Sequence, residues 1–318
     1  LVTRDGGPSA AMALSTLLGV AAAMPSAATP PASMPSASMP AARAWTTTIA
    51  PGVAMPWVSL GTCCGSDPEV GVAPWLAAAT SLGQPVAGID TAFDYNDQGA
   101  IAAELAATDT PRGRVFLTTK IPGAAHLHGD PKLLCPSLDF RACAVRAVRT
   151  DLAQLRVAAA DLILLHDPGL ANGTAVTAAL WQGMQDALAA GLARSIGVSN
   201  FNASQLDELI AQPTTSVVPA LNQISMGVGG ARPEATLAAC TRHGVAPQAY
   251  WALKDCPYTD PVLRAVAAAH GPGVSTAMVC VAWVLGRGVL VATGTGANRS
   301  AVAGYTREDL GATTLVLS

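Results

Sequence analysis

From about residue 45 onward, short continuous apolar runs alternate with longer Ala-rich stretches in which apolar residues recur at helical spacing. The runs at 57–62, 86–92, 115–121, 160–166, 194–200, 220–224, 246–252 and 289–294 predict eight strands. Between them, 70–83, 100–108, 141–156, 178–191, 203–212, 235–244 and 275–288 show i, i+3, i+4 apolar spacing, several ending on a glycine, and predict helices. A strand that is apolar on every position is buried on both faces, which is the habit of parallel strands covered by helices. Eight such strand–helix units in about 270 residues predict a single-domain (β/α)₈ TIM barrel over 45–318 rather than an open doubly wound sheet. No GxGxxG follows the first strand, which argues in the same direction.

Residues 1–44 follow a different rule. A short apolar piece leads into "MPSAATPPASMPSASMPAA", a Pro-, Ser- and Ala-rich tract in which "MPSA" occurs twice. The reading is a disordered or targeting N-terminal extension, too short in its apolar part to span a membrane.

Composition narrows the partners. Charged residues make up 12% of the 318 positions and the net charge is −3, with no run of lysines or arginines. Such a chain lacks the basic field that draws nucleic acid. Seven cysteines, an odd number without CxxC spacing, are read as free thiols in a reducing compartment. The expectation is a soluble cytoplasmic monomer, or an organellar, plastid-like protein if residues 1–44 are a transit peptide.

The chemistry gathers where strands end, because in a barrel the loops following the strands build the functional face. Strand two ends at Asp90 with Tyr95 in its loop, strand three at Lys120 and strand four at His166. Singly, each has a structural reading as a cap, loop anchor, snorkelling lysine or core histidine. Together they form a set able to polarise a carbonyl. Lys120 lowers the cost of Tyr95 giving up its proton, Asp90 braces Lys120, and His166 orients the carbonyl.

The segments "GIDTAFDY", "VFLTTK", "DLILLHDP", "GLARSIGVSNF", "PALNQI", "APQAYWAL" and "EDLGATTLVLS", in this order and after the opening "PGVAMPWVSLGT", resemble the motif series of the aldo-keto reductases. The resemblance implies a nicotinamide-dependent barrel that transfers hydride between NADPH, or NADH, and an aldehyde or ketone. It implies Asp90, Tyr95, Lys120 and His166 as the catalytic tetrad with Tyr95 as general acid. It places Ser199, Asn200 and Gln223 on the nicotinamide carboxamide, Tyr250 against the nicotinamide ring, and Thr62, Leu253, Thr293 and Arg299 among the cofactor contacts.

Three positions depart from the family pattern in the pocket: Cys63 and Asp167 stand where tryptophans are common, and Asp94 where an apolar residue is common. They imply a wider, more polar pocket for small hydrophilic carbonyls, or else carboxylates turned away to neighbouring cations. In the cofactor segment, Thr293 stands where many members carry a lysine, which leaves Arg299 to meet a 2′-phosphate. His126 and His128 form an HxH without a defined third ligand, too little for a metal site. Two rival functions on the same barrel are a Schiff-base aldolase using Lys120 and a catalytically weak cofactor-sensing protein.

Overall fold

The computed structural model describes residues 44–123, 139–168 and 174–317. The N-terminal extension and the loop holding His126, His128 and Cys135 lie outside the described residues.

The chain opens with an antiparallel hairpin of β1 (Thr46–Ala50) and β2 (Val53–Pro56), turned at Gly52, whose φ of +72° suits a residue without Cβ. Eight parallel strands then close a barrel: β3 (Val58–Gly61), β4 (Ala87–Asp90), β5 (Val115–Ile121), β6 (Leu162–Leu165), β7 (Ile196–Ser199), β8 (Leu221–Ser225), β9 (Ala246–Tyr250) and β10 (Leu290–Thr293). Neighbours follow chain order, and β10 pairs with β3 to complete the ring. Each of the eight apolar runs contributes one strand.

Helices α1 (Pro68–Ser81), α2 (Gln98–Ala107), α3 (Phe140–Leu155), α4 (Thr174–Ala189), α5 (Ala203–Ala211), α6 (Glu234–His243) and α8 (Thr276–Gly286) occupy the seven helical segments. Two more, α7 (Pro261–Ala269) and α9 (Val302–Gly311), were not singled out by periodicity. The side chain of Asp260 starts α7 by accepting from Val262 N and Leu263 N at 2.8 and 3.2 Å, with Pro261 in the first turn.

Two-residue alternation sorts the strand side chains. In β6, Leu162 and Leu164 point into the barrel and join Phe116, Leu221 and Leu290 against the hairpin's Ile49, Val53 and Met55. Ile163 and Leu165 point outward onto Trp181, Leu180 and Val148 of the helices. The hairpin therefore plugs the N-terminal end. Gly88 makes room for it, since a Cβ there would lie 2.9 Å from Pro56 and closer still to Ser59. Asp161 ties this end together by accepting from Leu117 N, Arg112 and Arg194 at 2.7–2.9 Å. With one end plugged and braced, the barrel presents its open mouth at the C-terminal ends of the strands.

The expectation of free thiols is overturned. Cys256 and Cys280 form a disulfide across Cα atoms 6.3 Å apart, Cys63 bonds to Cys64, and Cys143 is disulfide-bonded. Among the described residues, Cys240 is the free cysteine, and burial pushes its thiol above the ordinary range. Residue spacing hid the pair because the fold brings together positions 24 apart in the chain. These bonds remove the ground for expecting a reducing compartment. No helix among the described residues is long and apolar enough to cross a membrane.

Candidate active site at the barrel mouth

The last inward position of a strand is where a side chain leaves the packed interior and meets the mouth. Asp90 in β4 and Lys120 in β5 occupy that level on neighbouring strands, while His166 follows β6 directly. A one-turn 3₁₀ helix, Phe93–Tyr95, folds Tyr95 back over them, with Asn96 ending the turn at φ +58°.

Lys120 is completely buried. An isolated ammonium could not remain there, because its desolvation costs several kcal/mol. It is compensated by a salt bridge to Asp90 Oδ1, the Thr91 carbonyl at 2.9 Å and Tyr95 Oη at 3.3 Å. Burial lowers the Lys120 pKa, but Asp90 and then Tyr95 outweigh it, so the group is held charged above its ordinary range. The other Asp90 oxygen accepts from Gln223 Nε2 at 2.7 Å, and Thr62 N donates to the Asp90 carbonyl at 3.0 Å. Asp90 is thus fixed from three strands.

Tyr95 places its hydroxyl on Lys120 and meets the His166 ring edge-on, with centroids 5.7 Å apart. Its pKa is raised, first by burial and also by Asp90, against the opposing pull of Lys120. Lys120 pulls the phenol toward ionisation, as its charge implies, but does not set the net direction. Desolvation of a half-buried phenol wins.

The pocket departures separate in space. Asp94 Oδ2 lies 3.2 Å from His166 Nδ1. An ionised carboxylate can only accept, so the contact is a hydrogen bond with the proton on Nδ1. Asp167 instead accepts from Gly123 N at 3.3 Å and packs so tightly on that glycine that a Cβ would overlap it. Cys63 is tied up in its bond to Cys64.

On the other side of the mouth, the Asn200 backbone at φ +64° turns its amide across β6 to β9: Nδ2 donates to the His166 carbonyl at 2.9 Å and Oδ1 accepts from Tyr250 Oη at 2.7 Å. Ser199 Oγ donates to the Gln223 carbonyl at 3.0 Å. Two amides, a hydroxyl and an aromatic ring on adjacent strands form a donor–acceptor set with the chemistry to receive a flat ring bearing a carboxamide. Asp90, Tyr95, Lys120, His166, Ser199, Asn200, Gln223 and Tyr250 therefore converge. Thr293 does not join them, since its hydroxyl donates to Asp309 of α9 at 3.2 Å. Leu253 is buried, with its carbonyl accepting from Tyr258 Oη at 2.9 Å, and Arg299 is exposed in the loop after β10.

Residue pattern alone does not single out Asp97, Gln98, Asp151, Trp251 or Lys254. Asp97 accepts from Thr91 Oγ1 at 2.6 Å and is held above its usual range by burial. Trp251, at φ +61° and 44% exposed, stands edge-on to Tyr250, and the Lys254 ammonium lies 3.7 Å over its ring.

Residues 70–304 match the Aldo/keto reductase family. The chain is 32% identical to morphine 6-dehydrogenase of Pseudomonas putida over 246 residues, 73% of this chain and 75% of that one. It is 32% identical to 2,5-diketo-D-gluconic acid reductase B of a Corynebacterium over 218 residues, 68% and 70% of the two chains. Among solved structures, the aldo-keto reductase of Bombyx mori in complex with NADP superposes with a TM-score of 0.66 at 28% identity, covering 87% of this chain and 90% of that one.

Proposed function

We propose that this chain, which belongs to the aldo/keto reductase family, reduces a small polar aldehyde or ketone to an alcohol with NADPH, using Tyr95 as the general acid. The observation that carries the reading is the contact of the buried Lys120 with both Asp90 and Tyr95.

The dinucleotide supplies the hydride when bound. Ser199, Asn200 and Gln223 would hold the carboxamide of its nicotinamide and Tyr250 would back the ring. Tyr95 donates its hydroxyl proton to the carbonyl oxygen as negative charge develops there. Lys120 stabilises the phenolate left behind, and Asp90 keeps Lys120 charged and in place. A lysine so held is the opposite of a Schiff-base nucleophile, which needs a lowered pKa. The aldolase reading therefore has no support in the geometry.

His166 and Asp94 shape the choice of substrate. With Nδ1 engaged by Asp94, His166 is left to meet a substrate hydroxyl through Nε2, which favours carbonyls carrying an adjacent hydroxyl over flat aromatic ones. For the cofactor, Arg299 is the cation of the last segment, since Thr293 is engaged with Asp309. Lys254, stacked beside Tyr250 through Trp251, adds positive charge for the phosphates. Thr62 and Leu253 complete the wall next to Asp90 and the Trp251 loop.

The test is the oxidation of NADPH, and separately NADH, across aldehydes and ketones of graded size and polarity. NADPH and short hydroxylated aldehydes are expected to give the higher kcat/KM. A preference for bulky aromatic aldehydes refutes the pocket assignment, and no turnover with any carbonyl refutes the reductase reading for this site.

A further inference from the structure

Asp151 of α3 is fully buried and has no cation bonded to it. Its Oδ2 accepts from Thr119 Oγ1 at 2.9 Å, and Thr119 Oγ1 in turn accepts from Gln98 Nε2 at 2.7 Å. The Gln98 side chain is also in hydrogen-bonding contact with Asp151. Two buried acceptors in this cluster, Asp151 Oδ1 and Gln98 Oε1, have no donor among the described residues. Turning the Gln98 amide over moves the deficit without removing it, because Thr119 has one hydroxyl proton and would then face an acceptor on each side. The cluster is one proton short, and a buried acceptor left unmatched costs about 1–3 kcal/mol.

The cluster also spans the two segments that carry the proton-transfer pair. Thr119 precedes Lys120 on β5 and faces outward toward the helices while Lys120 faces inward. Gln98 opens α2, three residues after Tyr95.

We propose that Asp151 works as a neutral carboxylic acid, a positioning residue whose proton closes the Gln98–Thr119–Asp151 cluster and so keeps the Tyr95 segment in register with the Lys120 strand. The inference rests on the reading of Tyr95 and Lys120 as the proton-transfer pair. Burial pushes the Asp151 carboxyl up to about 8: desolvation outweighs the hydrogen bonds of Gln98 and Thr119, which pull it down, with Asp94 raising it further and Lys120 opposing. Of the elements packed on α3, α2 also carries Glu104, half-buried further along the helix, and Asp186 of α4 is engaged at the surface by Arg141.

Loss of this proton makes Asp151 a carboxylate that competes with Thr119 for the Gln98 amide N–H, so Gln98 is drawn off Thr119 and the register of Tyr95 with Lys120 relaxes. The reductase activity of the wild type therefore falls above about pH 8, well before Tyr95 itself ionises. A carboxyl with a folded pKa above its unfolded value near 3.9 keeps its proton only in the fold, so stability declines as pH rises from about 4 to about 8 and is level beyond.

The experiment has two arms. In protein labelled with ¹³C at the aspartate carboxyls, the Asp151 signal, assigned by its absence from Asp151→Asn, is expected to titrate near pH 8. This arm needs no turnover, so it stays readable if the reductase reading fails. In the second arm, wild-type kcat/KM falls roughly tenfold by one pH unit above that titration, while Asp151→Asn, which supplies the missing donor through its amide, carries its activity past that point. The unfolding midpoint of the variant should gain on the wild type between pH 4 and 8. An Asp151 carboxyl already ionised at pH 6, or an alkaline limb at the same pH in both proteins, overturns the proposal. Should Asp151→Asn fail to fold, the wild-type titration decides alone, assigned by its sensitivity to Thr119→Val.

Discussion

The chemistry of the mouth is set by which charges are compensated. Lys120 is tolerated in the interior because three oxygens surround it, and removing Asp90 would strand a buried ammonium at a cost of about 3–5 kcal/mol. Asp94 has the opposite character: it is partly exposed and, among the described residues, its side chain hydrogen-bonds to His166, through which it acts. Asp94→Leu is expected to leave the fold intact and shift kcat/KM toward aromatic aldehydes by about tenfold relative to hydroxylated ones, measured as the ratio of the two. An unchanged ratio removes Asp94 from substrate choice. These residues were legible in the chain because each sits at or just past a strand end, where a polar group interrupts an apolar run. Asp151 was not. It lies in a helix, 32 positions from Thr119, and reads as one more surface charge until the fold buries it. The pairing of Asp94 with His166, across 72 positions, was equally out of reach.

At the scale of elements, the eight strands were readable because burial on both faces demands unbroken apolar runs, with Leu162–Leu165 the plainest case. Helix α7 was passed over because it is short and Ala-rich, although Asp260 and Pro261 announce its start. The Cys256–Cys280 bond escaped notice because nothing local couples a loop after β9 to a residue inside α8. That bond anchors the loop carrying Leu253 and Lys254. Cys256→Ser is expected to lose about 3 kcal/mol of stability in denaturant titrations under oxidising conditions, following the entropy of closing a loop of this length. The loss should vanish when both proteins are reduced; an equal midpoint under oxidising conditions would show that the bond contributes nothing.

As a whole, the molecule has a plugged end and a working end. The low charge content follows from this architecture: strands are apolar on both faces, helices bury one side, and the hairpin's Ile49, Val53 and Met55 spend their apolar surface on the barrel floor. A concentration of polar side chains stands at the mouth, where Asp90, Tyr95, Lys120 and His166 meet Asn200, Gln223 and Tyr250. That concentration makes one variant the most direct test. Tyr95→Phe deletes a single oxygen and leaves Lys120 its contacts to Asp90 and the Thr91 carbonyl. Turnover of the best carbonyl substrate and NADPH affinity, the latter followed by quenching of protein fluorescence without substrate, should be measured in the same preparation. Reduction falling at least 100-fold with the dissociation constant for NADPH within about twofold of wild type is the predicted result. Turnover retained at wild-type rate would contradict Tyr95 as the proton donor.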